Sequence, residues 1–104
     1  MIIWSVYIIT NKPNGVLYIG VTKDLKIRIY QHKNKSHPNT FSARYNLDKL
    51  IYFENYKTKD EAYTCERRMK KWNREWKIKL IEKENKDWAD LSENLIEYLK
   101  KMNN

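Results

Sequence analysis

Apolar and polar residues alternate with a period of two in two runs near the N-terminus, Trp4 to Thr10 and Leu17 to Val21, separated by Asn11-Lys12-Pro13-Asn14-Gly15. That period is the mark of a half-buried strand. Val6 and Ile8 then share a face with Leu17 and Ile19, while Tyr7 and Tyr18 fall on the other, giving one apolar and one phenolic surface. Proline presets φ, and the residues after it tolerate positive φ, so the intervening stretch is turn chemistry. The pattern predicts a β-hairpin that starts the fold.

Beyond it the spacing changes. Thr22-Lys23-Asp24 can end a strand and cap a helix, and Leu25 and Ile29, with Ile27 and Tyr30 as further candidates, continue at helical spacing. A helix is predicted from about Asp24 to Lys33, with Arg28 and His32 stacked on one face of it. Asn34 to Thr40 offers no hydrophobic anchor and reads as a loop, after which Phe41 and Tyr45 resume packing. Leu50-Ile51-Tyr52-Phe53 is a short β-rich run suited to a third strand beside the hairpin, and three strands suffice for a stable sheet. From Thr58 onward Ala62, Cys65, Met69, Trp72 and Trp76 recur at three and four residues, with Leu80 a turn further. This predicts one long helix with a core stripe. A closing helix is expected from Asp90 or Ser92, carrying Leu91, Leu95, Ile96 and Leu99. The sum is an α+β fold, one domain over residues 1–104, with a small three-stranded antiparallel sheet flanked by helices.

Composition adds a partner. Lysine and arginine outnumber aspartate and glutamate by 21 to 13, a formal charge of +8, which suits a phosphate backbone best and makes nucleic acid the leading partner. The long helix carries Arg67, Arg68, Lys70, Lys71, Arg74, Lys77 and Lys79 away from its apolar stripe, so Lys70, Lys71 and Arg74 are candidate nucleic-acid contacts. The 13% aromatic content leaves rings to be placed outside the core. The single cysteine, Cys65, permits no intrachain disulfide and points to the cytoplasm, and no run approaches the roughly 20 apolar residues of a membrane span.

Tyr7 and Tyr18 on strands, Arg28 and His32 on the first helix and Glu66 on a later one can meet over one face of the sheet. Val6-Tyr7-Ile8, nine intervening residues, Tyr18-Ile19-Gly20, Arg28 eight residues on, His32 a turn later and a downstream helical Glu66 together resemble the GIY-YIG nuclease superfamily. The likeness runs from about Ile2 to Trp88, and is nearest to small stand-alone proteins similar to the N-terminal nuclease domain of the excinuclease. Val6 stands where the family name has glycine. Val21 replaces a lysine found in some relatives, so a phosphate contact there would come from Lys23. Asn73 and Asn85 are alternative counterparts of an asparagine near the active site of some relatives.

The resemblance implies a one-metal endonuclease that hydrolyses DNA phosphodiester bonds in repair or recombination. Glu66 would hold Mg²⁺ or Mn²⁺, since Mg²⁺ keeps most of its waters and needs only one or two protein oxygens. Arg28 would offer a planar charged fork to a phosphoryl oxygen. A phenol, with an unperturbed pKa of about 10, acts as a base near neutral pH only beside cations that lower it. An imidazole at about 6.5 needs no such help. Tyr18, with Tyr7 orienting water or phosphate, is the preferred proton acceptor and His32 its competitor. A non-catalytic nucleic-acid-binding module with the same fold is the alternative, and a Glu66–Lys70 pair would compete with a metal at Glu66. A protein partner could supply targeting.

Overall fold

The computed structural model describes residues 3–95. The hairpin is formed by β1 (Trp4–Thr10) and β2 (Leu17–Thr22), and α1 (Leu25–Lys33), α2 (Phe41–Arg44), β3 (Lys49–Tyr56), α3 (Lys59–Lys71) and α4 (Arg74–Glu84) follow. A 3₁₀ turn, Leu91–Asn94, comes after α4. The three strands are antiparallel in the order β2-β1-β3, so β1 is central, with Tyr7 paired to Gly20 on one side and Phe53 on the other. Ile8 pairs with Tyr52 and Ile9 with Leu50, leaving Ile51 as the extra residue of a bulge.

Both faces of the sheet are covered. Val6, Ile8 and Ile19 pack with Ala62, Cys65 and Met69 of α3 and Ile81 of α4, whereas Tyr7 and Ile9 pack with Leu25 and Ile29 of α1 and with Leu47, Leu50 and Leu95. The surface expected to be phenolic is therefore a second core, with Tyr7 inside it and Tyr18 at its border. Its apolar partners come from α1, from Leu47 and β3, and from Leu95, too far along the chain for hairpin periodicity to register.

Each helix start has a side-chain acceptor. Asp24 accepts from the Ile27 N–H at 3.1 Å, Thr58 from Glu61 at 3.2 Å and Asn73 from Trp76 at 2.9 Å. The last of these divides the predicted long helix, because Trp72 turns extended (φ −67°, ψ 148°) and Asn73 caps a new one. Trp76 consequently lies 55% exposed rather than in the core stripe, and Ile81 and Trp88 take core places instead. The predicted hairpin turn, α1 and β3 are observed. Positive φ falls on Asn14, not Gly15, which is needed for space: a Cβ there would meet Asn11 Oδ1 and the Lys12 carbonyl. Arg74 fastens α4 to this turn by donating to the carbonyls of Asn14 at 2.7 Å and Gly15 at 2.6 Å. The expected closing helix begins as the 3₁₀ turn with Leu91 and Leu95 on the second core; Ile96 and Leu99 lie outside the described residues.

Candidate active site

Gly20 decides where Tyr7 goes. The two are paired across the β1–β2 ladder, and the end of the phenol ring occupies the space that a Cβ on Gly20 would need. A glycine within a strand allows such close approach. The ring is buried, and its hydroxyl lies 2.9 Å from Nε2 of His32. On the other side of the imidazole, Nδ1 lies 3.0 Å from Ser42 Oγ. The rings of Tyr7, Tyr18 and His32 form a triangle with centroids 5.6–6.4 Å apart. Arg28, one turn before His32 on α1, joins Tyr18 and His32 in lining a cavity of about 310 Å³ between α1 and α2, which Lys35, His37 and Phe41 also line.

Electrostatics follow from burial. The Tyr7 phenol is pushed well above its ordinary pKa by loss of water, with Tyr18 adding to the rise, Arg28 opposing it and Glu66 adding again. His32 is pulled down to about 4, first by burial and then by the positive charge of Arg28 and by His37. It is thus neutral near pH 7, with one ring nitrogen carrying a proton and the other bare.

Glu66 comes from the opposite layer. Ala62, Cys65 and Met69 of α3 bury themselves against the sheet, and Glu66, only 8% exposed, sits next to Cys65 on that inner side. Its field still reaches Tyr7. Oε1 pairs with Lys70 Nζ at 3.0 Å, while Oε2 receives no protein hydrogen bond among the described residues. No cluster of three or more His, Cys, Asp or Glu side chains suited to a metal occurs among those residues. A hard divalent ion that keeps its waters fits a lone carboxylate with one oxygen spare, provided Lys70 yields the other.

The remaining expected contacts separate. Lys23 and Lys71 are exposed, Lys70 is paired to Glu66, and Arg74 is engaged by the hairpin turn. Asn73 caps α4, and the buried Asn85 amide donates to the carbonyls of Ile51 at 3.1 Å and Ala89 at 2.8 Å while accepting from Ala89 N–H at 3.0 Å. Both asparagines thus serve local structure. Phe41 and Tyr45, expected to pack, are 49% and 43% exposed; Phe41 stacks on Tyr18 with centroids 6.4 Å apart and meets Tyr45 in a tilted contact at 4.7 Å. Ser42 and Thr40 escape the sequence reading, since a serine one residue from an aromatic carries no periodic signal. Gly20 carries one, as a lone glycine inside an apolar strand.

No described helix is long and apolar enough to cross a membrane. Comparison with known proteins adds the lineage. A UPF0213 protein of Staphylococcus epidermidis is 35% identical over 69 residues, covering 66% of this chain and 83% of its own. Another, from Staphylococcus saprophyticus, is 37% identical over 76 residues, covering 73% and 90%. A third, from Staphylococcus aureus, is 34% identical over 68 residues, covering 65% and 82%. No solved structure matches the chain. The family model described as the GIY-YIG catalytic domain matches residues 3–79, a span that takes in both tyrosine triplets, α1, β3 and all of α3. The chain belongs to the GIY-YIG family.

Proposed function

We propose that this protein is a divalent-metal-dependent endonuclease that hydrolyses DNA phosphodiester bonds, with Tyr7, Tyr18, Arg28, His32 and Glu66 as its catalytic residues. The observation that carries this reading is the 2.9 Å contact between a buried phenol and a neutral imidazole, beside the guanidinium of Arg28. That arrangement supplies a proton path and a phosphate anchor at one spot.

The chemistry requires a water oxygen to bond to phosphorus while the bond to the leaving sugar oxygen breaks. A phenol held above its ordinary pKa does not wait as phenolate. Tyr7 instead accepts the water proton as its own proton passes to Nε2 of His32, so the pair acts as one base. This favours Tyr7 with His32 over the Tyr18 assignment expected from the sequence, because Tyr18 meets the imidazole only as a ring neighbour. Arg28 donates its planar fork to the non-bridging oxygens. Phosphate on Arg28 also offsets one of the charges that hold His32 down, raising its basicity as substrate arrives. Tyr18 directs its hydroxyl to the phosphate or the water. Glu66 would hold Mg²⁺ or Mn²⁺, which would supply stabilisation of the negative charge developing on the phosphate. Lys23 and Lys71, with Lys70 once released, track the backbone, and Arg74 keeps the hairpin turn in place. The likeness to the excinuclease domain supports a role in repair or recombination, with a protein partner for targeting.

The test is cleavage of nicked, flapped, branched and plain DNA in Mg²⁺ or Mn²⁺. Wild type is expected to cut at least one of them, with Glu66→Ala and Arg28→Ala falling by about 10²-fold or more while still binding DNA. The Glu66–Lys70 ion pair favours a second reading, a non-catalytic DNA-binding module. Salt-sensitive binding with no cleavage of any substrate by wild type would select it.

A further inference from the structure

The buried hydroxyl of Ser42 is the partner of His32 on the side away from Tyr7. It continues into a chain of four proton donors that ends on a backbone carbonyl. Thr40 Oγ1 donates to the His37 carbonyl at 2.7 Å, Ser42 Oγ lies 3.3 Å from Thr40 Oγ1, His32 Nδ1 lies 3.0 Å from Ser42, and Tyr7 Oη lies 2.9 Å from Nε2. A carbonyl can only accept. The proton of Thr40 is therefore committed, and Thr40 can offer Ser42 nothing but lone pairs.

Two arrangements remain for a neutral imidazole. In the first, Ser42 donates to Thr40, His32 Nδ1–H donates to Ser42, and the bare Nε2 accepts from the Tyr7 hydroxyl. All four protons then have acceptors. In the second, Ser42 donates to Nδ1 and Nε2–H donates to Tyr7. Lone pairs of Thr40 and Ser42 then face each other, and the proton of a buried phenol is left with no protein acceptor among the described residues. The second arrangement thus forfeits the Ser42–Thr40 bond and leaves the Tyr7 proton dependent on a water at a residue only 2% exposed, a loss that outweighs the weakness of a 3.3 Å hydroxyl pair. The first arrangement prevails.

We propose that Thr40 and Ser42 are positioning residues that hold His32 as the Nδ1–H tautomer, leaving Nε2 bare to take the proton of Tyr7. Both also line the cavity beside Arg28, but the role argued here acts through His32. Their importance to the reaction rests on the nuclease reading above, but the tautomer itself does not. The role resembles that of any acceptor that fixes the second nitrogen of a working histidine.

The decisive measurement is the long-range ¹⁵N–¹H correlation pattern of the imidazoles in the metal-free, DNA-free protein, with His37→Gln used to separate the two histidines. His32 is expected to show a protonated Nδ1 and an unprotonated Nε2. Ser42→Ala should shift the population toward Nε2–H with an otherwise native amide spectrum, and Ser42→Thr should restore the wild-type pattern. In cleavage assays Ser42→Ala should lower kcat about 10- to 100-fold with little change in KM. An Nε2–H tautomer in wild type overturns the proposal, and this holds even if Ser42→Ala does not fold. An unchanged Nδ1–H tautomer in folded Ser42→Ala overturns it too. Absence of cleavage would sink the nuclease reading instead, while the tautomer is still decided by the spectra.

Discussion

Replacing Gly20 by alanine would put a methyl group where the end of the Tyr7 ring now lies, with Cε1 at 2.8 Å and Cζ and Oη nearer still. The ring cannot step aside freely, since Tyr7 is 2% exposed and tied to His32. Overpacking of this kind costs about 1–3 kcal/mol. Losing the hydrogen bond to His32 adds about 0.5–1.5 kcal/mol, and the reduced freedom of the unfolded chain returns about 0.4–1 kcal/mol. The net expectation is a loss of about 2 kcal/mol, read from the urea midpoint at unchanged slope. A double-mutant cycle isolates the cause. In a Tyr7→Leu background, which lacks the offending atoms, Gly20→Ala should be close to neutral; in Tyr7→Phe, which keeps Cε1 and Cζ, most of the cost should persist. Equal costs in all three backgrounds would refute the account of Gly20 as space for the phenol, as would a Gly20→Ala protein as stable as wild type.

Stability should also depend on pH through His32. Its folded pKa of about 4 lies below the unfolded value, so between about 6.5 and 4 the unfolded chain binds a proton that the folded one does not. Stability is therefore expected to fall as pH is lowered through that window, and His32→Asn should flatten the fall in urea melts. Asn85→Ala should cost about 2–4 kcal/mol by calorimetry, because a buried amide making three hydrogen bonds is removed. Asn73→Ala should cost about 1 kcal/mol as the loss of a helix cap, and Asn73→Gly only a few tenths. Cleavage lost in Asn73→Ala without a change in melting would instead mark Asn73 as part of the reaction centre.

Local patterns carry much of the fold. The period-two runs, the Pro-Asn-Gly turn, the Asp24 cap and the β-rich run at Leu50 are all short-range signals, and each has its counterpart in β1, β2, α1 and β3. The break between α3 and α4 is hidden because Trp72 and Trp76 keep helical spacing across it, while the Asn73 side chain offers the backbone a competing start. Exposed Phe41 and Tyr45 read as packing residues because hydrophobicity alone does not tell a core ring from one beside a cavity, as Phe41 is, or one set against such a ring, as Tyr45 is. At the site, the triplets and the α1 spacing bring Tyr7, Tyr18, Arg28 and His32 near one another on sequence grounds. Ser42 and Thr40 are invisible there, since the contact of Ser42 with His32, and through it that of Thr40, depends on how residues 34–40 bring α2 back to α1.

The two-sided sheet has a consequence for how the molecule opens. Tyr7 packs in the layer that α1 closes and that carries His32, while Glu66 reaches Tyr7 from α3, the helix that closes the other layer. A helix of nine residues that buries Leu25 and Ile29 is expected to detach at lower cost than α3, which buries Ala62, Cys65, Glu66 and Met69. Amide exchange in α1 should therefore report the fraction of molecules in which the site is complete, and exchange in α3 should lie closer to global unfolding.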